Sequence, residues 1–269
     1  MQPEAFQCGN WSLHWSAIIW PAVLFVLWGH WHTMGRTRGW PHSAATAVAL
    51  LAVTGIIIGA RSAFVLTDPL YYFKHPVAIF DLSSGGLVFF GGLLGGLTGA
   101  FMAAGRYNLS PAAFIDTLIT PVPLAHAMGR IGCFLNGCCF GAAYEGFTGV
   151  TYPAGSPAWI RQVYGQAITR FDPRSLPVHP VQLYEAAANL LLYLVLFMLW
   201  RKRLPDGRVA ACYAVGYGGI RFLAEFLRGD SRIILAGLHL SQIFSLIMIL
   251  FGIWLWKRSR TNRQGFALS

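Results

Sequence analysis

Apolar runs long enough to cross a lipid hydrocarbon core, about 20 residues each, recur along the chain and set its organisation. Six are clear: Leu13–His32, Ala44–Leu66, Gly86–Ala104, Gln182–Trp200, Val209–Leu227 and Leu238–Trp256. A seventh, Pro111–Met128, is weaker because it holds Asp116, Pro121, Pro123 and His126. Its prolines predict a broken helix packed against protein rather than lipid. The pattern predicts an all-α polytopic membrane protein of about seven transmembrane helices, with residues 1–269 forming a single integral membrane domain. Residues 129–179 contain no long apolar run and are rich in Gly, Pro, Tyr and Trp, which predicts a small extracytoplasmic loop or cap within that domain.

Charge gives the orientation. Segments 33–43, 105–110 and 201–208, with the tail that carries Lys257, Arg258, Arg260 and Arg263, hold eleven Lys and Arg. The opposite side holds seven, four of them in the long 129–179 loop. Long loops weigh little in the positive-inside rule, so the C-terminus is expected in the cytoplasm and the N-terminus and loop outside. The first eleven residues hold Glu4 and no basic residue. The first apolar segment is therefore expected to be retained rather than cleaved as a signal peptide.

Composition agrees: 55% of residues are hydrophobic and 11% charged, against about 25% charged in ordinary soluble domains. Mean hydropathy is +0.52. These values exclude a cytosolic enzyme, a disordered chain and a secreted disulfide scaffold. The net charge of +10 would point a soluble protein toward nucleic acid. Here anionic membrane lipids and the positive-inside rule account for it, and no nucleic-acid partner is expected. The five cysteines (Cys8, Cys133, Cys138, Cys139, Cys212) show no Cys-x-x-Cys with a distant His, so neither metal nor cofactor is expected.

Ionisable side chains inside the spans are the strongest pointers to function, since each costs about 2.5–3.5 kcal/mol at mid-bilayer on insertion scales. Arg61, Asp116, Glu185, Arg221 and Glu225 fall in this class. Steps of four put Tyr217, Arg221 and Glu225 on one helical face, with Arg228 a turn beyond. An Arg221–Glu225 pair serves structure alone, or the two arginines present planar forks to a phosphate-bearing substrate. In His179-Pro-Val-Gln182-Leu-Tyr184-Glu185, Gln182 and Glu185 share a face. Glu185 either neutralises Arg221 or accepts a proton.

The stretch Gly129-Arg130-Ile-Gly132-Cys133-Phe-Leu-Asn136-Gly137-Cys138-Cys139-Phe-Gly141 adds a third arginine among glycines that let backbone approach a ligand. Its cysteines read as small packed residues, a disulfide in an oxidising compartment, or a reactive thiol. His75, His126 and His179 fall near outer boundaries, as interfacial residues or as proton acceptors. Glycines at 91, 92, 95, 96 and 99 mark either a close helix contact or a face that admits a lipid headgroup.

From about residue 74 to 256 this pattern resembles the prolipoprotein diacylglyceryl transferases, bacterial inner-membrane enzymes. The resemblance rests on His75-Pro with Gly85-Gly86-Leu-Val-Phe-Phe-Gly91-Gly92, and on Gly129-Arg130-Ile-Gly132 with Asn136-Gly137. It continues through His179-Pro-Val-Gln-Leu-Tyr184-Glu185, Tyr217-Gly-x-x-Arg221-Phe-x-x-Glu225-Phe-x-Arg228 and Ser241-Gln242-Ile. It implies transfer of the diacylglyceryl group of phosphatidylglycerol to the thiol of a lipobox cysteine in a prolipoprotein signal peptide. A thioether forms and glycerol 1-phosphate leaves.

By resemblance, Arg130 and Arg221 hold the phosphate and stabilise the departing charge. Asn136 and Gly141 shape the headgroup pocket, while Glu185, Tyr217, Glu225 and Arg228 complete the substrate site. The chain departs from the family pattern at Phe90, where a histidine proposed as base is usual, at Cys133 in place of Asn, and at Cys138 in place of Glu. His75, His126 or a cysteine then takes the proton, or the acceptor differs. The alternatives are a diverged paralogue with the same donor and another acceptor, and a non-catalytic phospholipid-binding or transport protein. Transport favours paired internal repeats, and none is visible in the sequence.

Overall fold

The computed structural model describes residues 4–8, 11–81, 85–229, 233–235 and 238–261, and helix dominates them. In chain order, a hairpin of β1 (Glu4–Cys8) and β2 (Trp11–His14) precedes α1 (Trp15–Thr37) and α2 (His42–Val65). Next come a short α3 (Pro69–Lys74), a 3-10 turn (Pro76–Phe80), α4 (Phe89–Arg106), α5 (Pro111–Ile119) and α6 (Val122–Asn136). The chain continues through α7 (Pro157–Tyr164), α8 (Val181–Arg201), α9 (Arg208–Glu225), a hairpin of β3 (Ile233–Leu235) with β4 (Leu238–His239), and α10 (Leu240–Thr261).

Among the described residues, four helical stretches are long and apolar enough to cross a membrane: His42–Val65, Pro111–Asn136, Val181–Arg201 and Leu240–Ser259. Leu50, Ile58, Leu94, Leu191 and Leu250 all stand exposed on helices. Apolar belts of this kind belong against lipid, where helix satisfies every backbone group. The chain is an all-α integral membrane protein. It divides into two compact units, Trp28–Phe114, and Met1–Leu27 with Ile115–Ser269.

In the first unit α2 and α4 meet backbone to backbone. A Cβ on Gly95 would strike the Gly55 carbonyl, and one on Gly99 the Leu51 carbonyl. The recurring glycines thus form a packing seam, at the small-residue spacing that allows close helix approach. Arg61, one of the intramembrane charges, is a clasp. Its Nε donates to Ile79 O (2.7 Å), Nη2 to Ala78 O (2.6 Å) and Nη1 to Gly85 O and Gly86 O (3.2 and 3.1 Å). Phe64 and Tyr72 flank the guanidinium, their ring centroids 5.4 and 5.6 Å away. It is thereby buried with carbonyl acceptors for its donors.

In the second unit the predicted break in the fourth apolar segment falls between α5 and α6, at Thr120 and Pro121. Asp116, buried on α5, caps α9: its two carboxylate oxygens accept from Gly207 N and Ala210 N, both at 2.8 Å. A carboxylate there satisfies orphan amides and complements the helix dipole. Helix α6 runs past Met128 to Asn136, so Arg130 and Cys133 project from helix rather than from the loop expected to begin at 129. No residue breaks the helix until Gly137, whose φ of 75° closes it with Gly137 N→Phe134 O and Cys138 N→Cys133 O bonds.

The 137–180 segment has its own small core of Phe140, Tyr152, Ala158 and Val178. Isolated bridges (Ala143–Val178, Val150–Val178, Pro153–Arg174) tie it together, and Ser156 caps α7. A further bridge, Gly141–Arg228, pins this segment to the end of α9.

Candidate functional site

Three helices of the second unit, with the turn that follows α9, bring five charged residues into one chain of ion pairs. Arg130 Nε, on α6, lies 2.7 Å from Glu185 Oε2 on α8. Glu185 Oε1 takes Arg221 Nη1 of α9 at 3.3 Å, and Arg221 Nη2 reaches Glu225 Oε2 at 2.6 Å. Arg228 Nε stands 4.0 Å from that same oxygen. The carboxylates are buried, at 3% and 2% exposure, while the three arginine side chains keep 11–20%. Three guanidiniums against two carboxylates leave the chain one positive charge in excess. Its solvent-reaching part is guanidinium, a planar fork matched to phosphate oxygens.

Three aromatic rings pack beside this chain. The His126 ring, one helical turn before Arg130, packs on Tyr217 at 4.6 Å between centroids, and Tyr217 stacks on Tyr213 at 5.5 Å. Among the described residues, buried His126 Nδ1 finds no hydrogen-bond partner. Tyr217 lies within electrostatic range of Arg130, Glu185 and Arg221. Between α8 and α9 an apolar cavity of ≈ 230 Å³, lined by Val181, Tyr184, Ala188, Ile220 and Leu223 among others, opens beside Glu185. An apolar slot next to a cationic cluster matches a ligand with a hydrocarbon part and an anionic part.

The rim is built from the turn after α6. Gln182, fully buried, donates from Nε2 to Cys138 O (2.8 Å) and to Tyr152 Oη (3.1 Å). Burial pushes the Tyr152 hydroxyl up to about 12, against a smaller opposing effect of the Gln182 bond, so it stays neutral. Asn136 is exposed at the end of α6, within hydrogen-bonding reach of the Cys138 thiol. Gly141 is buried where a Cβ would meet His179 and Val181. Its N donates to His179 O at 3.0 Å, which registers the rim against the start of α8.

The Sγ atoms of Cys133, Cys138 and Cys139 all lie within 4.8 Å of one another, and among the described residues they form the one set with the proximity of metal ligands. All three are free thiols. Their spacing in sequence gave no such signal. The turn through Gly137 and the left-handed Cys139 (φ 58°) brings them together.

Arg130, Glu185, Arg221, Glu225, Arg228, Tyr217 and His126 thus converge, with Asn136 and Gly141 on the rim. His75 belongs to the other unit. There it closes α3, its Nδ1 lies 3.2 Å from Tyr71 O, and its ring stacks on Tyr71 at 4.7 Å. Gln182 is the positioning residue that sequence reasoning placed on the Glu185 face without a role. Its signal was an amide on a buried, three-residue spacing from a carboxylate.

The fold and this site define a polytopic helical membrane protein with a buried, net-cationic cluster beside an apolar slot. The family model for prolipoprotein diacylglyceryl transferase matches residues 3–258, and the chain belongs to that family. Among its relatives, the phosphatidylglycerol–prolipoprotein diacylglyceryl transferase of Cupriavidus pinatubonensis is 32% identical over 98% of this chain and 94% of that protein. The same-named protein of Methylibium petroleiphilum is 33% identical over 94% of each chain. That of Clostridium tetani is 31% identical over 85% of this chain and 86% of its own.

Proposed function

We propose that the chain transfers the diacylglyceryl group of phosphatidylglycerol to the thiol of a lipobox cysteine in a prolipoprotein signal peptide, in a bacterial inner membrane. The observation that carries this is the chain of ion pairs from Arg130 through Glu185, Arg221 and Glu225 to Arg228, which leaves one positive charge beside an apolar slot. Arg130 and Arg221 grip the phosphate. As the acceptor sulfur attacks the glyceryl carbon, the carbon–oxygen bond breaks and its electron pair goes to the phosphate of departing glycerol 1-phosphate. Pre-oriented guanidiniums stabilise that developing charge without reorganising. Glu185 and Glu225 are already held by arginines and orient them rather than exchange protons. The proton lost by the thiol passes to water.

This reading places seven spans (α1, α2, α4, α5 with α6, α8, α9 and α10) across the bilayer. The N-terminus and the 137–180 segment lie outside, the latter as a cap, and the C-terminus lies in the cytoplasm. The Lys and Arg distribution supports the orientation. A second reading, the same donor with another acceptor, is favoured by the exchange of polar family residues for Phe90, Cys133 and Cys138. The test is transfer in nanodiscs of phosphatidylglycerol to a lipobox peptide by wild type, Arg130→Ala and Arg221→Ala. Each variant should lose transfer by at least about a hundredfold while remaining monodisperse. Turnover retained in both removes the phosphate role.

A further inference from the structure

Cys133, Cys138 and Cys139 are absorbed by no step above, yet they stand at the rim of the site. Cys133 comes from the last turn of α6, and Cys138 and Cys139 follow the left-handed Gly137. Their three Sγ atoms lie within 4.8 Å of one another. A zinc–sulfur bond is about 2.3 Å, which puts sulfurs of a shared ion about 3.8–4 Å apart. Side-chain rotation alone therefore closes these three on one cation.

The backbone is also committed to this geometry. Cys139 holds φ at 58°, a left-handed conformation that a non-glycine residue adopts only at a cost. The Cys138 carbonyl is fixed by the buried Gln182, itself hydrogen-bonded to Tyr152. These contacts form a supporting shell around the ligand turn, of the kind that orients ligands in metal sites.

Arg228 and Arg130 lie within electrostatic range of Cys139. Three thiolates around a divalent ion carry one net negative charge, and the two arginines lie where they offset it. Three sulfurs select a soft or borderline cation and disfavour magnesium or calcium. With only three protein ligands, a tetrahedral ion keeps one position open.

We infer that Cys133, Cys138 and Cys139 bind one zinc ion whose open fourth position receives the thiol of the acceptor substrate. This rests on the transferase reading and deepens it. A thiol that coordinates zinc gives up its proton, here to water as in the proposed reaction. The bound sulfur then supplies the electron pair for the new carbon–sulfur bond. The glyceryl carbon–oxygen bond breaks, its pair leaves with glycerol 1-phosphate, and zinc is released from the thioether product unchanged. No oxidant or reductant enters. A free thiol near pKa 8.5 is mostly protonated at pH 7, and both carboxylates of the site are engaged by arginines. Zinc supplies the deprotonation they do not.

The test uses the full chain purified without a polyhistidine tag under reducing conditions, loaded with Zn2+ or Co2+ and freed of excess metal. One zinc per chain is expected, with a loss of affinity of at least about tenfold in each of Cys133→Ser, Cys138→Ser and Cys139→Ser. The wild-type Co2+ form should show thiolate-to-cobalt charge-transfer absorption. A lipobox peptide should shift its visible bands and the Cys→Ser peptide should not. That readout stands even where a variant fails to fold. Absence of metal after loading, binding undiminished in all three variants, a disulfide within the trio under these conditions, or no spectral response to the peptide each overturns the inference. Full-rate transfer by zinc-free protein overturns it too and leaves the transferase reading intact. Zinc bound and peptide-responsive with no transfer from phosphatidylglycerol overturns the transferase reading and leaves the metal site standing.

Discussion

Glu185→Gln removes one charge from the ion-pair chain and almost nothing from its shape. Glu185 is 3% exposed and holds two guanidiniums at 2.7 and 3.3 Å. At an effective dielectric near 20 a unit pair at 4 Å is worth about 4 kcal/mol. Desolvation of the buried carboxylate and the partial exposure of both arginines offset much of that. Breaking such a pair by removing one partner costs about 3–5 kcal/mol when both are buried, so about 2–3 kcal/mol is expected here. The net charge of the cluster rises from one to two, which favours an anionic headgroup in the ground state. Arg130 and Arg221 lose the group that aims them.

The variant should therefore bind phosphatidylglycerol as tightly as wild type or more so, with KM unchanged or lower. Its kcat should fall about 10²–10³-fold, the usual cost of losing one aligned oxyanion donor. Glu185→Asp, which keeps the charge, should lose less. The assay is peptide transfer in nanodiscs at varied lipid mole fraction, with thermal unfolding to confirm the fold. A kcat within threefold of wild type with KM raised tenfold would refute the reasoning, because Glu185 would then contact the lipid rather than orient the arginines.

Other outcomes follow from the same geometry. Gly95→Val forces α2 and α4 apart at the Gly55 carbonyl and should destabilise the first unit by about 1–3 kcal/mol, read as a lowered thermal midpoint in detergent. Asp116→Ala uncaps α9 and should cost about 1–2 kcal/mol of stability. In the folded, lipid-loaded fraction its transfer rate should be unchanged, since the carboxylate only holds a helix end. In metal-free protein the hydrogen bonds of Cys133 and Cys138 hold the Cys139 thiol below the ordinary thiol range. Its alkylation by iodoacetamide should therefore fall less steeply from pH 8 downward than the about tenfold per unit of an ordinary thiol; a tenfold fall per unit contradicts the depression.

Helix positions were legible because period and length are set by the bilayer: all seven apolar runs carry helix, and the fourth breaks at Pro121 as its prolines require. Boundaries were less so. The apolar run ends at Met128, yet α6 continues to Asn136, since glycine ends a helix only where the chain turns left-handed, here at Gly137. Membrane charges were legible as a class and not as individuals. Arg61 and Asp116 satisfy backbone carbonyls and amides, whereas Arg130, Glu185 and Arg221 pair across three helices. Sequence gives the cost of burying each and hides which neighbour offsets it. The thiol cluster was hidden for a related reason: spacing of five and one residues converges only through a left-handed turn.

The central claim is tested most directly by the mass of a lipobox peptide after incubation with the full chain and phosphatidylglycerol in nanodiscs. The account predicts a gain of one diacylglyceryl group on the cysteine, an equal yield of glycerol 1-phosphate, and no gain on the Cys→Ser peptide. An unmodified cysteine peptide in the presence of folded protein with phosphatidylglycerol bound would contradict it.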